Sequence, residues 1–144
     1  MSDLHIDEFY QDVARTLVSL FDVFPRPVTI YAEDIAGPDE PDEYGVHSRR
    51  YQACFATLMW LAEEGYLRYT ETIKQDALDQ VVLSARCFAE LLKPAVDLDD
   101  TSLPQSEQRR RSSLLYQLRD AGAQGETMRT SELVQVLITA MASD

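Results

Sequence analysis

One stretch of the chain changes its character at a single position, with no loop between its two halves. Residues 81–92 read VVLSARCFAELL. Before Ser84 the β-branched valines favour a strand, and after Ser84 the apolar residues recur at helical spacing. The Ser84 hydroxyl can accept a hydrogen bond from a free N–H group of the first helical turn. The sequence therefore predicts a strand that runs directly into a capped helix, which restricts the chain to folds that contain such a corner.

The N-terminal part of the chain predicts a helix followed by a very short strand. Apolar residues recur every three or four positions from Ile6 to Phe24, which is typical of an amphipathic helix. Pro25 should end this helix, because proline cannot continue the ladder of hydrogen bonds. Residues 28–30 are expected to form a short strand, and one or two helical turns should follow it.

A longer helix and a β-hairpin are expected between an acidic loop and the serine corner. The loop, at residues 37–45, is rich in proline, glycine and carboxylates. Ser48 can cap the helix, and Gly65 should end it, because glycine readily adopts the left-handed conformation found after helices. Residues 66–72 and 78–84 should then pair as antiparallel strands.

The charge of the chain argues against indiscriminate binding to polyanions. The chain has 144 residues, enough to bury a core of its own, and a formal net charge of -12. When the chain is divided into residues 1–45, 46–75, 76–100 and 101–144, only residues 46–75 have a positive balance, with 4 basic and 3 acidic side chains. The negative net charge of the whole chain favours solubility and disfavours non-specific association with nucleic acid or anionic membranes.

Neither the cysteines nor the histidines form a pattern typical of a catalytic or metal site. Cys54 and Cys87 lie within apolar helical patterns, so we expect buried thiols and no disulfide framework. His5 and His47 are isolated in the sequence, and we expect no metal and no cofactor. A phosphate-binding glycine loop and a nucleophile elbow are both missing from the sequence, and we do not expect an enzyme. Without a signal-peptide pattern or an apolar run of about 20 residues, the expected location is the cytoplasm, with no membrane span.

Two segments on either side of the hairpin resemble the winged-helix pattern: LMWLAEEGYLRY and VVLSARCFAELL. In that pattern a long helix ends in glycine and an aromatic residue, and a two-stranded wing returns through Leu-Thr/Ser into another helix. The matching residues here are Leu83 and Ser84, with Cys87 where glycine is common. The resemblance implies an α+β, mostly helical fold, in which a winged-helix domain with a two-stranded wing precedes a C-terminal helical pair. The expected boundaries are 1–93 for the domain, 94–105 for a connector and 106–144 for the helical appendage.

Winged-helix proteins most often place the long helix in the major groove of DNA and the wing against phosphates. The resemblance therefore implies a non-catalytic binding module, and by fold analogy a DNA-binding transcriptional regulator that contacts double-stranded DNA. The matching positions on the outer face of the long helix and on the wing are Arg49, Arg50, Gln52, Thr57, Arg68, Thr70, Thr72 and Lys74.

The acidic loop ahead of the long helix favours an alternative, an acidic winged-helix adaptor or complex subunit that binds protein and not DNA. The four carboxylates of residues 39–43 are expected within a Debye length, roughly 8–10 Å, of any phosphates bound by that helix. The wing or the long helix would then be the contact surface. Trp60 is either packed internally or an exposed aromatic anchor. An electropositive face would favour DNA, whereas an acidic or apolar face would favour protein.

The C-terminal residues predict helices with a broad apolar face. The apolar side chains of residues 128–141 cover an unusually wide arc, which needs cover on two sides. A homodimer joined partly through residues 106–142 would supply this cover, and a tail that folds back on its own chain is the alternative. The basic run Arg109–Arg111 is expected to be a solvated helix start, with a phosphate-facing role as its alternative. The candidate dimer contacts are Leu114, Leu118, Val134, Leu137, Ile138 and Met141.

Overall fold

The computed structural model describes residues 3–98 and 102–143, and within these residues the fold is mixed α+β. Seven helices and four strands are formed in the described part of the chain. They follow in the order α1 (Leu4–Val23), β1 (Val28–Tyr31), α2 (Ala32–Ala36), α3 (Arg49–Glu63), β2 (Leu67–Arg68), β3 (Glu71–Ile73), β4 (Ala77–Leu83), α4 (Ala85–Leu92), α5 (Gln105–Ser112), α6 (Leu114–Ala123) and α7 (Thr127–Ala142).

A small antiparallel sheet has β4 as its middle strand. β1 pairs with one edge of β4, while β2 and β3 pair in turn along the other edge. The predicted hairpin is confirmed, with Arg68 opposite Val82 and Thr72 opposite Leu78. Its turn occupies residues 74–76. This turn lies beside the start of α3, because the Asp76 carboxylate bonds the side chains of His47 and Tyr51.

The predicted corner at Ser84 is also confirmed. The Ser84 hydroxyl accepts a hydrogen bond from the N–H of Cys87 at 3.1 Å and donates one to the carbonyl of Gly65 at 2.7 Å. Gly65 ends α3 with φ at 81°, and the N–H of Tyr66 bonds the carbonyl of Leu61 at 2.9 Å. One serine thus joins the end of α3 to the start of α4.

One hydrophobic core cluster contains residues from both halves of the chain. Leu17 of α1 and Leu58 of α3 are fully buried, and so are Val134 and Leu137 of α7. Burying a side chain of this size stabilises the fold by roughly 1.5–3 kcal/mol. The C-terminal helices therefore contribute to the same core as the sheet and the first helices.

The C-terminal segment folds back on α1 and α4. α7 packs against α1, α4 and α6, and α6 also contacts α1 and α4. The sequence predicts a pair of C-terminal helices, but the structure has three. The segment divides at Ser113, whose backbone is extended after α5 and whose hydroxyl accepts a hydrogen bond from the N–H of Tyr116 as the N-cap of α6. Of the expected connector, residues 99–101 lie outside the described part of the chain. None of the helices in the described ranges is both long and apolar enough to cross a bilayer.

This packing corrects the predicted role of the dimer contacts. Side chains that are fully buried within one chain cannot form the centre of an interface with a second copy in this conformation. α1, α4 and α6 cover most of the apolar arc of α7, while Met128 and Val136 remain 75% and 54% exposed. The fold-back alternative therefore accounts for the buried part of that arc, while the homodimer stays a prediction. The residues concerned are buried, or for Ile138 half-buried, against the core: Leu114, Leu118, Val134, Leu137, Ile138 and Met141.

Candidate functional site

α3 and the hairpin present six of the eight predicted DNA contacts to solvent. Within the described residues, no hydrogen bond or ion pair engages the side chains of Arg49, Arg68 or Lys74. These three side chains supply the free positive charge of this face. The exposed six are Arg49, Gln52, Arg68, Thr70, Thr72 and Lys74.

Arg50 is corrected as a free DNA contact, because carboxylates of α1 engage its guanidinium and its side chain is only 30% exposed. Its guanidinium donates two hydrogen bonds to the Asp12 carboxylate, with Nη1 2.7 Å from Oδ2 and Nη2 2.5 Å from Oδ1. Glu8 lies 3.6 Å from Nε as a second carboxylate. Asp12 is 1% exposed, and a carboxylate so deeply buried is strongly destabilising without a paired cation. The charge of Arg50 therefore serves the contact between α1 and α3.

Thr57 is also corrected, since it lies on the buried side of α3. It is 5% exposed, and its hydroxyl donates to the carbonyl of Ala53 at 3.0 Å. Thr57 follows Cys54 by three residues and precedes Leu61 by four, so all three share one face of the helix. Both neighbours are fully buried, which leaves the threonine hydroxyl no access to a ligand.

His47 joins three segments at the start of α3. Its Nδ1 lies 2.9 Å from Oδ2 of Asp39 in the acidic loop, and its Nε2 lies 3.1 Å from Oδ1 of Asp76 in the hairpin turn. The imidazole stacks on the ring of Tyr51, with centroids 3.8 Å apart and an interplanar angle of 16°. The Tyr51 hydroxyl donates to the same Asp76 oxygen at 3.0 Å. We call these four residues the histidine latch.

The latch favours the doubly protonated imidazolium, because each ring nitrogen then donates to a carboxylate. The hydrogen bond with Asp39 raises the pKa of His47, burial lowers it, and the bond with Asp76 raises it further. Hydrogen bonds from Ser48 and His47 in turn lower the pKa of Asp39. Burial, and then the bond to Asp76, raise the pKa of Tyr51 to about 12. The latch is therefore a contact whose strength depends on the charge of one imidazole.

The acidic loop is held against α3 by its own carboxylates. Oδ1 of Asp42 accepts the N–H groups of Tyr44 and Val46 at 2.8 and 3.0 Å. Oδ2 of Asp39 accepts the N–H of Ser48, the N-cap residue of α3, at 3.1 Å. Negative charge is thus fixed beside the first turn of α3, as the sequence predicts.

A shallow groove of about 200 Å³ lies between α3 and the hairpin turn. Among the described residues, neither lysine nor arginine lines it. Binding to nucleic acid draws most of its affinity from lysine and arginine beside phosphates, and this groove offers amides and aromatic rings instead. We call it the α3–hairpin groove, and its lining residues are His47, Tyr51, Gln52, Phe55, Ala56 and Gln75.

The thiols and the tryptophan belong to the interior packing. Burial raises the pKa of both Cys54 and Cys87 to about 12, which keeps them as protonated, weakly nucleophilic thiols. Trp60 packs edge-on against Phe9, with ring centroids 5.1 Å apart, and lies 5.3 Å from Tyr66. In the ranges that the structure describes, no group of three or more His, Cys, Asp or Glu side chains could hold a metal ion.

Comparison with known proteins identifies no relative. No family model matches the sequence. No curated protein and no solved structure is significantly similar to it.

Sequence reasoning missed the two polar contacts that shape this face. Asp12 stands between Phe9 and Val13 in the apolar stripe of α1, and a carboxylate at such a position indicates a buried cation partner. This signal was present in the sequence. The two carboxylates of the histidine latch lie 8 and 29 residues from the imidazole, and no periodic pattern relates such positions.

Proposed function

We propose that the chain is a non-catalytic winged-helix module that binds a protein partner through the α3–hairpin groove. The order of elements supports the winged-helix part, since a helix, a strand, two helices and a hairpin follow one another, with β4 between β1 and β2. The pairing of Arg50 with Asp12 is the observation that favours a protein partner over DNA. It removes one of the two arginines with which the first turn of α3 would meet phosphates.

The surroundings of α3 support a protein partner on electrostatic grounds. The Asp39 carboxylate is fixed beside its first turn, and Glu40, Asp42 and Glu43 of the same loop are exposed. A duplex seated along α3 would bring its phosphates towards this negative charge. A protein surface can instead place cations opposite the loop and apolar or amide groups in the groove.

DNA binding is the second candidate, and the exposed cations Arg49, Arg68 and Lys74 favour it. They lie on the long helix and on the hairpin, where a winged-helix protein would contact the major groove and the backbone. None of the three has a counter-ion among the described residues. They therefore define the variants that separate the two candidates.

A duplex-binding assay tests the choice between them. Fluorescence anisotropy of a labelled duplex at about 50 mM salt should show no salt-dependent binding, either by the wild type or by the Glu40→Gln, Glu43→Gln double variant. These two carboxylates are chosen because Asp39 and Asp42 maintain the loop structure. Binding that falls steeply with salt would overturn the protein proposal if Lys74→Ala flattened the salt slope by about one unit. Arg26→Ala, an exposed arginine outside this face, is the matched control.

Site-specific photo-crosslinking tests the protein proposal directly. A benzoyl-phenylalanine placed at Gln52 or Gln75 in cells of the source organism should form an adduct with one protein. The same group at Gln135, which is exposed on α7, should not form it. Ala56→Arg fills the groove from an exposed position and should abolish the adduct formed from Gln75. Equal labelling from Gln135, or an adduct unaffected by Ala56→Arg, would contradict the groove as the docking surface.

A further inference from the structure

The predicted helix start at Arg109–Arg111 is instead the last turn of α5, where Arg109 and Arg110 line a cavity of about 490 Å³. Its floor is apolar and is built from three different helices, with Phe21 from α1, Leu92 from α4 and Leu115 from α6. Leu92 is 49% exposed, so this floor is open to solvent. Three arginines stand around it, and we call the whole the arginine pocket: Phe21, Leu92, Arg109, Arg110, Leu115 and Arg119.

The three arginines differ in whether an acidic side chain of the protein already pairs with them. Arg110 bonds Glu107 at 2.5 Å and lies 5.2 Å above the ring of Tyr116. Arg119 pairs with Asp22 of α1. Arg109 has no acidic partner among the described residues. A guanidinium without a carboxylate, beside exposed apolar surface, is a recognition feature that the packing of the chain does not explain.

We propose that the arginine pocket docks an acidic peptide segment of a protein partner, in which one apolar residue is flanked by carboxylates. The apolar residue would cover the floor around Leu92. A flanking carboxylate would accept hydrogen bonds from Arg109 on α5, the pocket arginine without an acidic partner among the described residues, while Arg110 and Arg119 would add positive charge beside the floor. A peptide in which acidic and apolar side chains alternate can contact the arginines and the apolar floor at the same time.

The apolar floor distinguishes this occupant from nucleic acid. Phosphate backbones gain little from a cavity lined by leucine and phenylalanine, whereas a peptide gains affinity when a Leu or Phe side chain is removed from water there. The net charge of -12 repels acidic peptides in general, so their binding at this site requires the local arginines. The pocket shares no residue with the α3–hairpin groove, and the inference is therefore independent of the proposed function.

Peptide titration of the full chain tests the proposal. The probe is a fluorescein-labelled peptide with the sequence Gly-Ser-Glu-Glu-Leu-Glu-Glu-Ser-Gly, and its matched control carries Gly in place of Leu. We expect saturable binding by the Leu peptide, weaker binding at higher salt, and an affinity at least about tenfold lower for the Gly peptide, because it lacks the buried anchor. No saturation of the Leu peptide by about 1 mM, or equal binding of both peptides, overturns the proposal.

Protein variants then locate the site. Arg109→Ala should weaken binding of the Leu peptide about three- to tenfold, the range for a partly exposed charge-assisted contact, and Leu92→Gln should weaken it at least as much. Their matched controls are Arg26→Ala and Val136→Gln, an exposed arginine between α1 and β1 and an exposed apolar residue on α7. Both controls should bind like the wild type. Circular dichroism should show that all four variants are folded, and equal losses in variants and controls would overturn the assignment to this pocket.

Discussion

Arg50 is expected to be one of the most sensitive charged residues of the chain. Arg50→Ala leaves the Asp12 carboxylate buried without a cation, so the free energy of unfolding should fall by about 3–5 kcal/mol. Arg49→Ala removes a neighbouring exposed charge that has no partner among the described residues. This substitution should change the free energy of unfolding by less than about 0.5 kcal/mol. Urea unfolding followed by circular dichroism measures both changes.

A double substitution separates lost pairing from lost packing at this position. Asp12→Leu combined with Arg50→Met replaces the pair with apolar side chains that need no counter-charge, and should recover most of the stability lost in Arg50→Ala. If Arg50→Ala were as stable as the wild type, the arginine would be free for a ligand and the argument against DNA would lose its main support.

At the scale of elements, the Ser84 corner is expected to contribute more than an ordinary helix cap. Ser84→Ala removes both the bond accepted from Cys87 and the bond donated to Gly65, so the free energy of unfolding should fall by about 1–2 kcal/mol. Ser19→Ala is the control, because that exposed hydroxyl has no hydrogen-bond partner among the described residues. Equal stability of the two variants in thermal unfolding would show that the corner does not depend on its cap.

The histidine latch makes the acidic loop and the hairpin turn respond to pH. Because the pKa of His47 is raised, its stabilisation is complete below the ordinary value of 6.5 and is lost as the pH rises through the raised value. Because the pKa of Asp39 is lowered, its stabilisation is complete above the ordinary value of 3.8 and is lost as the pH falls through the lowered value. The difference in Tm between the wild type and His47→Gln should therefore be largest between pH 3.8 and 6.5.

The second histidine provides the control for this pH profile. His5 is exposed on α1, and His5→Gln should shift the Tm little at any pH in this range. Histidine resonances in NMR titrations of the two variants would assign each imidazole directly. A Tm difference for His47→Gln that does not vary with pH would contradict the charge-dependent contact.

Local patterns predicted the elements whose causes lie within a few residues. The Ser84 cap, the Gly65 stop and the hairpin all follow from neighbours along the chain, and the structure confirms them. The direction of Arg50 and the burial of Thr57 depend on which side of α3 meets α1, through a contact that spans 38 residues. The wide apolar arc of α7 indicated that cover was needed, but the helices that supply it are set by tertiary packing.

For the whole molecule, substitutions in α7 can distinguish a helix packed in the shared core from one that forms an interface between two copies of the chain. Leu137→Ala should lower the free energy of unfolding by about 2–5 kcal/mol, because it opens a cavity among fully buried side chains. Val136→Ala, at a residue that is 54% exposed, should cost less than about 1 kcal/mol. The unfolding midpoint of Leu137→Ala should not vary with protein concentration. A midpoint that rises with concentration would indicate an interface between copies.

The fold-back of the C-terminal helices has a consequence for synthesis on the ribosome. The side chain of Gln11 in α1 donates a hydrogen bond to the carbonyl of Thr127 at the start of α7, across 116 residues. At about 5–20 residues per second, α7 is translated roughly 6–23 s after the part of α1 that it covers. During that interval the part of α1 that packs against α7 lacks this partner helix, so the nascent chain presents apolar surface that chaperones can bind. Translation speed should therefore influence how much of this protein reaches its folded state.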